Sequence, residues 1–231
     1  MDKERIKSIF ARFKEILNRP ASLTRICLTL SAYTLIAFHT PFFSEVLDRI
    51  SGGLNGIWIV FSMFIIMLTL NFMVYYLLLY LGRMVGKCII AFTMIANAAC
   101  FYFISTYNTL IDRAMMGNVF NTKFSEASNF FSWGIILYIL LLGVIPCIWL
   151  FYRKANHGSV KRFFANIGVS LLIIISVLLG NKSNVLWIDY NATVLGSKIM
   201  PWSYVINSVL PPPISMRIPF FVSGKRWRIA A

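Results

Sequence analysis

Apolar residues in this chain come in long blocks separated by short polar breaks, and not in the amphipathic stripes of a water-soluble domain. A helix rises about 1.5 Å per residue, so crossing the hydrocarbon of a bilayer takes about 20 apolar residues. Five blocks approach that length, at about 26–43, 57–81, 88–107, 131–152 and 165–180. The last is short by itself and resumes at Val185-Leu186-Trp187-Ile188 after the polar break Asn181-Lys182-Ser183-Asn184. The pattern predicts an all-α membrane protein with five transmembrane helices within residues 23–188. In residues 1–22, Ile6, Ile9, Phe10, Phe13, Ile16 and Leu17 recur at helical spacing between Lys and Arg. That spacing predicts a basic amphipathic helix lying on an anionic membrane surface, not a cleaved signal segment. A further interfacial helix is expected in 108–130, and 189–231 reads as a linker-like tail.

Composition agrees. Of the 231 residues, 58% are hydrophobic and 13% charged, and mean hydropathy is +0.73. Soluble domains carry about twice that charge. The four cysteines (Cys27, Cys88, Cys100 and Cys147) all fall inside apolar blocks without a C-x-x-C partner, so they read as small buried hydrophobes.

Net charge is +14, and its placement gives the orientation. The amino-terminal arm with Arg25, the 82–87 turn and the 153–164 loop hold thirteen Lys and Arg; the alternate loops 41–56 and 108–130 hold three. Lys and Arg stay on the cytoplasmic side, so the N-terminus is expected in the cytoplasm and, after five crossings, the C-terminus outside. The blocks do not fall into similar halves, which disfavours an inverted-repeat transporter.

The spans hold no Asp, Glu, Lys or Arg ladder of the kind a proton-coupled carrier needs. Asn71 and Asn97 read as interhelical hydrogen-bonding groups, and His39 as a locally bonded interfacial residue. The outer segment Tyr107–Phe131 is more informative. Ile111, Met115 and Val119 recur every fourth residue and would rest on the membrane, while Asn118, Thr122 and Glu126 form a second such stripe. On one helix, that amide, hydroxyl and carboxylate would line up within about 12 Å. A zwitterionic lipid head suits the row: the carboxylate pairs with an ammonium, and the amide and hydroxyl donate to phosphate oxygens. The same spacing also occurs on ordinary solvated helices, and the residues alone leave both readings open.

The wording of two segments adds a resemblance. Tyr107-x4-Asp112-Arg113-x-Met115-x-x-Asn118-Val119-x-x-Thr122-x3-Glu126-Ala127 resembles the signature of the phosphoethanolamine transferases that modify lipid A and confer polymyxin resistance. Leu195-Gly196-x3-Met200-Pro201-Trp202-Ser203-Tyr204-Val205-x-Asn207 resembles the stretch after that family's last span. The likeness covers about residues 23–208. It implies a multi-pass protein of the bacterial inner membrane, with Asn118, Thr122 and Glu126 holding the donor lipid, phosphatidylethanolamine. It also implies a periplasmic sulfatase-like catalytic domain with a zinc-bound threonine. This sequence shows no such domain before Ala231, and neither a catalytic residue nor a metal ligand set.

The tail after Asn207, with Pro211-Pro212-Pro213, departs from the family pattern and leads us to expect a truncated or frame-disrupted product, or an isolated membrane domain. The expected function is to anchor the enzyme and bind donor phosphatidylethanolamine for transfer to lipid A or another envelope glycan, without catalysis by this segment alone. The alternatives are a small membrane carrier or channel, or a non-catalytic membrane partner. No cofactor in this chain and no nucleic acid are expected, and a separate catalytic domain is a possible partner.

Overall fold

The computed structural model describes residues 20–50, 52–122 and 132–209. Most of the expected basic helix of 1–22, the last part of the Tyr107–Phe131 segment (123–131) and the proline-rich tail lie outside them. The last residues before the first span are extended, not helical. Ala21–Ser22 (β1) pair in parallel with Ala155–Asn156 (β2), and the Ala21 N–H donates to the Lys154 carbonyl at 3.1 Å.

Ser22 then caps α1, Leu23–Phe38, its Oγ accepting the Arg25 N–H at 3.4 Å. The block 26–43 is expected as one helix, but the chain bends by 61° at His39 into α2, Thr40–Arg49. Pro41 has no N–H to continue the ladder, and its ring pushes the previous turn away, so the helix restarts with proline in its first turn.

Helix α3 spans Leu54–Tyr107 and contains both the second and third apolar blocks. It is broken at Arg83, whose φ of 37° and ψ of −100° are not helical. Residues 54–82 and 84–107 are two antiparallel arms: Thr34 Oγ1 shares a hydrogen bond with Tyr75 Oη (3.0 Å) and also meets Met94 Sδ (3.9 Å). The arms touch backbone to backbone. A Cβ added at Gly86 would lie 2.1 Å from the Leu78 carbonyl oxygen. A non-glycine residue in this backbone region costs about 1–3 kcal/mol, so Arg83 marks a strained reversal.

Between the third and fourth blocks the chain forms α4, Arg113–Asn121, and the fourth block then forms a span in three parts: α5 (Trp133–Tyr138), a π-helical stretch (Ile139–Val144) and α6 (Ile145–Tyr152). Pro146 cannot donate to the Leu142 carbonyl one turn earlier, and Tyr33 Oη donates to it instead at 2.8 Å. Gly143 lets this span approach α3, since a Cβ there would sit 3.2 Å from the Ile95 Cα. Gly168, by contrast, faces open space.

Helix α7, Val160–Gly180, is tied to α1 by Asn166 Nδ2 donating to Thr24 Oγ1 at 3.0 Å. The polar break after it is buried against α3: Asn181 donates to Ser62 Oγ at 2.7 Å, and the amides of Asn184 and Asn55 exchange bonds of 3.0 and 3.2 Å. The chain continues as α8, Val185–Gly196, and α9, Trp202–Val209, so most of the expected linker as far as 209 is helical, with a turn at 197–201. The reason is packing: Leu195, Met200 and Tyr204 are buried.

Among the described residues, three helices are long and apolar enough to cross a membrane, or four if the bent pair α1–α2 is one span. Along α7 only Ser170 and Val177 are buried, while Leu172 and Leu179 are about two-thirds exposed. In water each such side chain forgoes about 1.5–3 kcal/mol of burial, so this surface requires hydrocarbon around it. The Gly86 contact yields a test. Gly86→Ala should lower stability by at least about 2 kcal/mol through backbone overpacking, whereas Gly168→Ala should leave it within about 0.5 kcal/mol. Thermal unfolding of the detergent-solubilised variants measures both.

Candidate functional site

At the end of the bundle away from the Arg83 reversal, α3 stops at Asn108, which takes a left-handed conformation (φ 50°). Asp112 opens α4, its Oδ1 accepting the Met115 N–H at 2.8 Å. Asn118 lies in the last turn, with its side chain exposed. Thr122 closes that turn: its N–H and its Oγ1 both donate to the Asn118 carbonyl, at 2.8 and 2.6 Å.

Asn118 and Thr122 are therefore together, as their spacing implies. Thr122 is already extended (ψ 129°), so the helix ends at Asn121 and the expected row is not one uninterrupted helix face. Glu126 lies outside the described residues. The apolar stripe also divides. Ile111 is buried and Met115 packs on the core, but Val119 is about half exposed. The Asp112 carboxylate is engaged by a backbone N–H and the Asn118 carbonyl by the N–H and hydroxyl of Thr122, while Asn118 itself is exposed, as are Arg113 and Asn121.

The second motif docks on the first. Asn207 Nδ2, on α9, donates to the Ile111 carbonyl at 2.9 Å. Tyr204 Oη reaches Asn97 Oδ1 at 2.9 Å and the Thr93 carbonyl at 3.3 Å on α3. Asn97 is thus an interhelical bonding group, as expected from sequence. Asn71 is equally buried, yet neither atom of its amide has a partner. His39 is fully buried, not interfacial, with Nδ1 3.1 Å from the Thr34 carbonyl.

Sequence reasoning misses one cluster. Lys198 is buried, and its Nζ donates to Glu45 Oε2 at 2.6 Å. Arg49 Nε holds Glu45 Oε1 at 2.5 Å, while its Nη1 donates to Asn191 Oδ1 at 3.3 Å. The cluster clamps α2 to α8 and the turn after it. The hydrogen bond from Lys198, then that from Arg49, holds the Glu45 carboxyl below its ordinary value. Nothing local marks a pair 153 residues apart. Beside it, α2 and the start of α3 form an apolar groove of about 530 Å³ walled by Leu47, Ile57, Val60, Phe61 and Phe64. Among the described residues no group of three His, Cys, Asp or Glu can hold a metal ion, so the zinc chemistry implied by the family has no ligand set there.

The model of the family described as phosphoethanolamine transferase EptA/EptB matches residues 59–210, which include α4, α9 and both arms of α3. The chain belongs to that family. Phosphoethanolamine transferase EptA of Helicobacter pylori is 28% identical over 191 residues, covering 82% of this chain and 36% of the relative. EptA of Escherichia coli K12 is 28% identical over 171 residues, covering 71% of this chain and 31% of the relative. Among solved structures, the integral membrane protein lipooligosaccharide phosphoethanolamine transferase A from Neisseria meningitidis matches with a TM-score of 0.71 at 19% identity. That match covers 80% of this chain and 35% of that one. The chain thus spans about a third of the length of these EptA proteins. Its fold is that of the EptA membrane region, and it is a multi-pass membrane protein.

The Glu45 cluster sets a pH dependence. Because the folded carboxyl is held low, its stabilisation is complete above the ordinary Glu value and is lost as pH falls through the lowered one. Glu45→Gln should cost about 2 kcal/mol at neutral pH, because it leaves the buried Lys198 ammonium without its countercharge. It should also flatten the acid limb of stability. Melting temperatures of both proteins from pH 7 to pH 3 check the size and the sign.

Proposed function

We propose that this chain is the membrane domain of a phosphoethanolamine transferase, and that its own task is to hold the enzyme in the bacterial inner membrane and bind donor phosphatidylethanolamine. The observation that carries the reading is the docking of the two motif segments. Asn207 on α9 grips Ile111 just before α4, so a segment spelled like the donor-lipid signature is braced on the bundle with its Asn118 amide outward.

In this reading each arm of α3 is a separate crossing. Five crossings then follow: α1, the two arms, the α5–α6 helix and α7. The positive charges near the Arg83 reversal and in the 153–164 loop put that end in the cytoplasm. The α4 end then faces the periplasm, and α2, α4, α8 and α9 lie at the outer headgroup depth. Asn118 donates to the phosphate or glycerol oxygens, Thr122 closes the turn that presents it, and Glu126 pairs with the ammonium. Transfer to lipid A or another envelope glycan needs a nucleophile and charge stabilisation from a sulfatase-like module, in the same polypeptide or in another.

The test is retention of phosphatidylethanolamine. Glu126→Ala should weaken binding about tenfold by removing a charge-assisted bond, and Asn118→Ala about threefold to fivefold. Native mass spectrometry of protein extracted from nanodiscs measures the lipid retained. Equal retention by wild type and both variants overturns the assignment.

A further inference from the structure

The end of the bundle opposite α4 holds a second site, which the donor-lipid reading does not use. A cavity of about 270 Å³ opens between the Arg83 reversal, the end of α6 and the strand β2. Arg83, Lys87, Arg153 and Lys154 line it, with His157 as a further wall. No described carboxylate does: Glu45, Asp48, Asp112 and Asp189 belong to the segments at the α4 end. The positive-inside bias accounts for Lys and Arg in these loops, but it does not require four of them to converge on one cavity.

The walls are fixed in place. Lys87 Nζ donates to the carbonyls of Phe151 (3.3 Å) and Arg153 (2.9 Å), which α6 leaves without helical partners at its end. An ammonium has three N–H groups, so one remains for a ligand. His157 Nε2 lies 3.2 Å from the Leu79 carbonyl, and the imidazole faces the Tyr80 ring. The Arg153 guanidinium sits over the Trp149 indole. Arg83 itself has a positive φ of 37°, a region that favours glycine, so the backbone is strained where this arginine stands. Beside the cavity, Leu81 and Met84 are 73% and 60% exposed and offer an apolar flank.

We propose that this basic cavity binds a phosphate anion, and that the apolar flank selects one carried by an anionic glycerophospholipid of the adjoining leaflet. A phosphodiester in the cavity meets the free Lys87 N–H and the Arg and Lys side chains, while its acyl chains lie along Leu81 and Met84. The proposal rests on the orientation given above only in naming that leaflet as the cytoplasmic one. The cavity and its charges stand without it.

The experiment reconstitutes the full chain in phosphatidylcholine nanodiscs doped with phosphatidylglycerol and counts retained lipid by native mass spectrometry, with and without millimolar inorganic phosphate. Wild type should retain phosphatidylglycerol over phosphatidylcholine. Each charge removed, in Arg83→Gly and Lys154→Gln, should lower retention about fivefold, equivalent to about 1 kcal/mol per basic residue. Arg83→Lys should restore it, and Arg83→Gly should not lower the melting temperature because glycine relieves the strain. If phosphate alone displaces the lipid and protects the wild type from unfolding, the phosphate site stands and its selection of a lipid is overturned. Equal retention by wild type and by the doubly substituted protein, with no effect of phosphate, overturns the site itself. Retention of phosphatidylethanolamine, followed in parallel, is expected to respond to Asn118 and Glu126 and not to Arg83 or Lys154, so failure of either site shows separately.

Discussion

Inside hydrocarbon no water takes over a backbone amide or carbonyl, so a chain can reverse only where its own atoms satisfy the freed groups. In this protein the two arms of α3 meet it by keeping their hydrogen bonds within each helix and reversing only at Arg83, at the end of the bundle. They meet at Gly86 with no side chain between them, and the reversal is made by one residue in strained geometry. The close approach brings Tyr75 and Met94 to the same point, where Thr34 of α1 meets both. The other helices are placed by what this hairpin presents: α5–α6 against Ile95 and Ala91, α7 against Ser62 and Gly180 against Trp58, and α9 against Thr93 and Asn97.

The same constraint explains why polar side chains are few and mostly engaged. Tyr33 supplies a donor where Pro146 withholds one, and Asn181 and Asn184 turn a break in apolar sequence into a bonded joint with α3. Interhelical bonds of this kind contribute about 0.6 kcal/mol each on average, so their role is to fix register more than to supply stability. The described end of the chain is fixed similarly. With Lys198 on Glu45, Tyr204 on Asn97 and Asn207 on Ile111, residues 197–207 are pinned to three separate elements.

The apolar blocks were legible because hydropathy is a local property, and the helices follow them closely. The bend at His39 was half legible. Pro41 falls near the expected end of the first span, but a 61° turn with a buried imidazole depends on α2 finding a partner in α8. Residues 189–209 were misread as linker because their value lies in contacts with α2, α3 and residue 111, which no window of sequence contains. Lys198 shows the cost most plainly: as a charge outside a span it looks solvated, yet it is buried on a carboxylate 153 residues away. At the candidate lipid site, the i, i+4 relation of Asn118 and Thr122 was legible and is realised as a bond. The end of the helix at Asn121 was not, since Thr122 leaves helical geometry by bonding back to the Asn118 carbonyl, a competition that spacing does not reveal.

The two ends of the bundle hold their charge in opposite ways, and this bears on which lipids each can select. At the α4 end, carboxylates and cations occur together: Glu45 is shared by Lys198 and Arg49, while Asp112 is spent on a helix cap. A surface so balanced has little net field, and under the proposed function it would recognise a headgroup by the pairing of separate positive and negative parts. A zwitterion satisfies that requirement. At the Arg83 end, Lys and Arg gather around one cavity with no described carboxylate beside them, and the field there has one sign. The anion site proposed there would discriminate by charge, and the zwitterion offers it less than an anion does. On the two proposals together, one scaffold would sort two lipid classes without any change of fold, because the sorting depends on whether a countercharge is built into the wall.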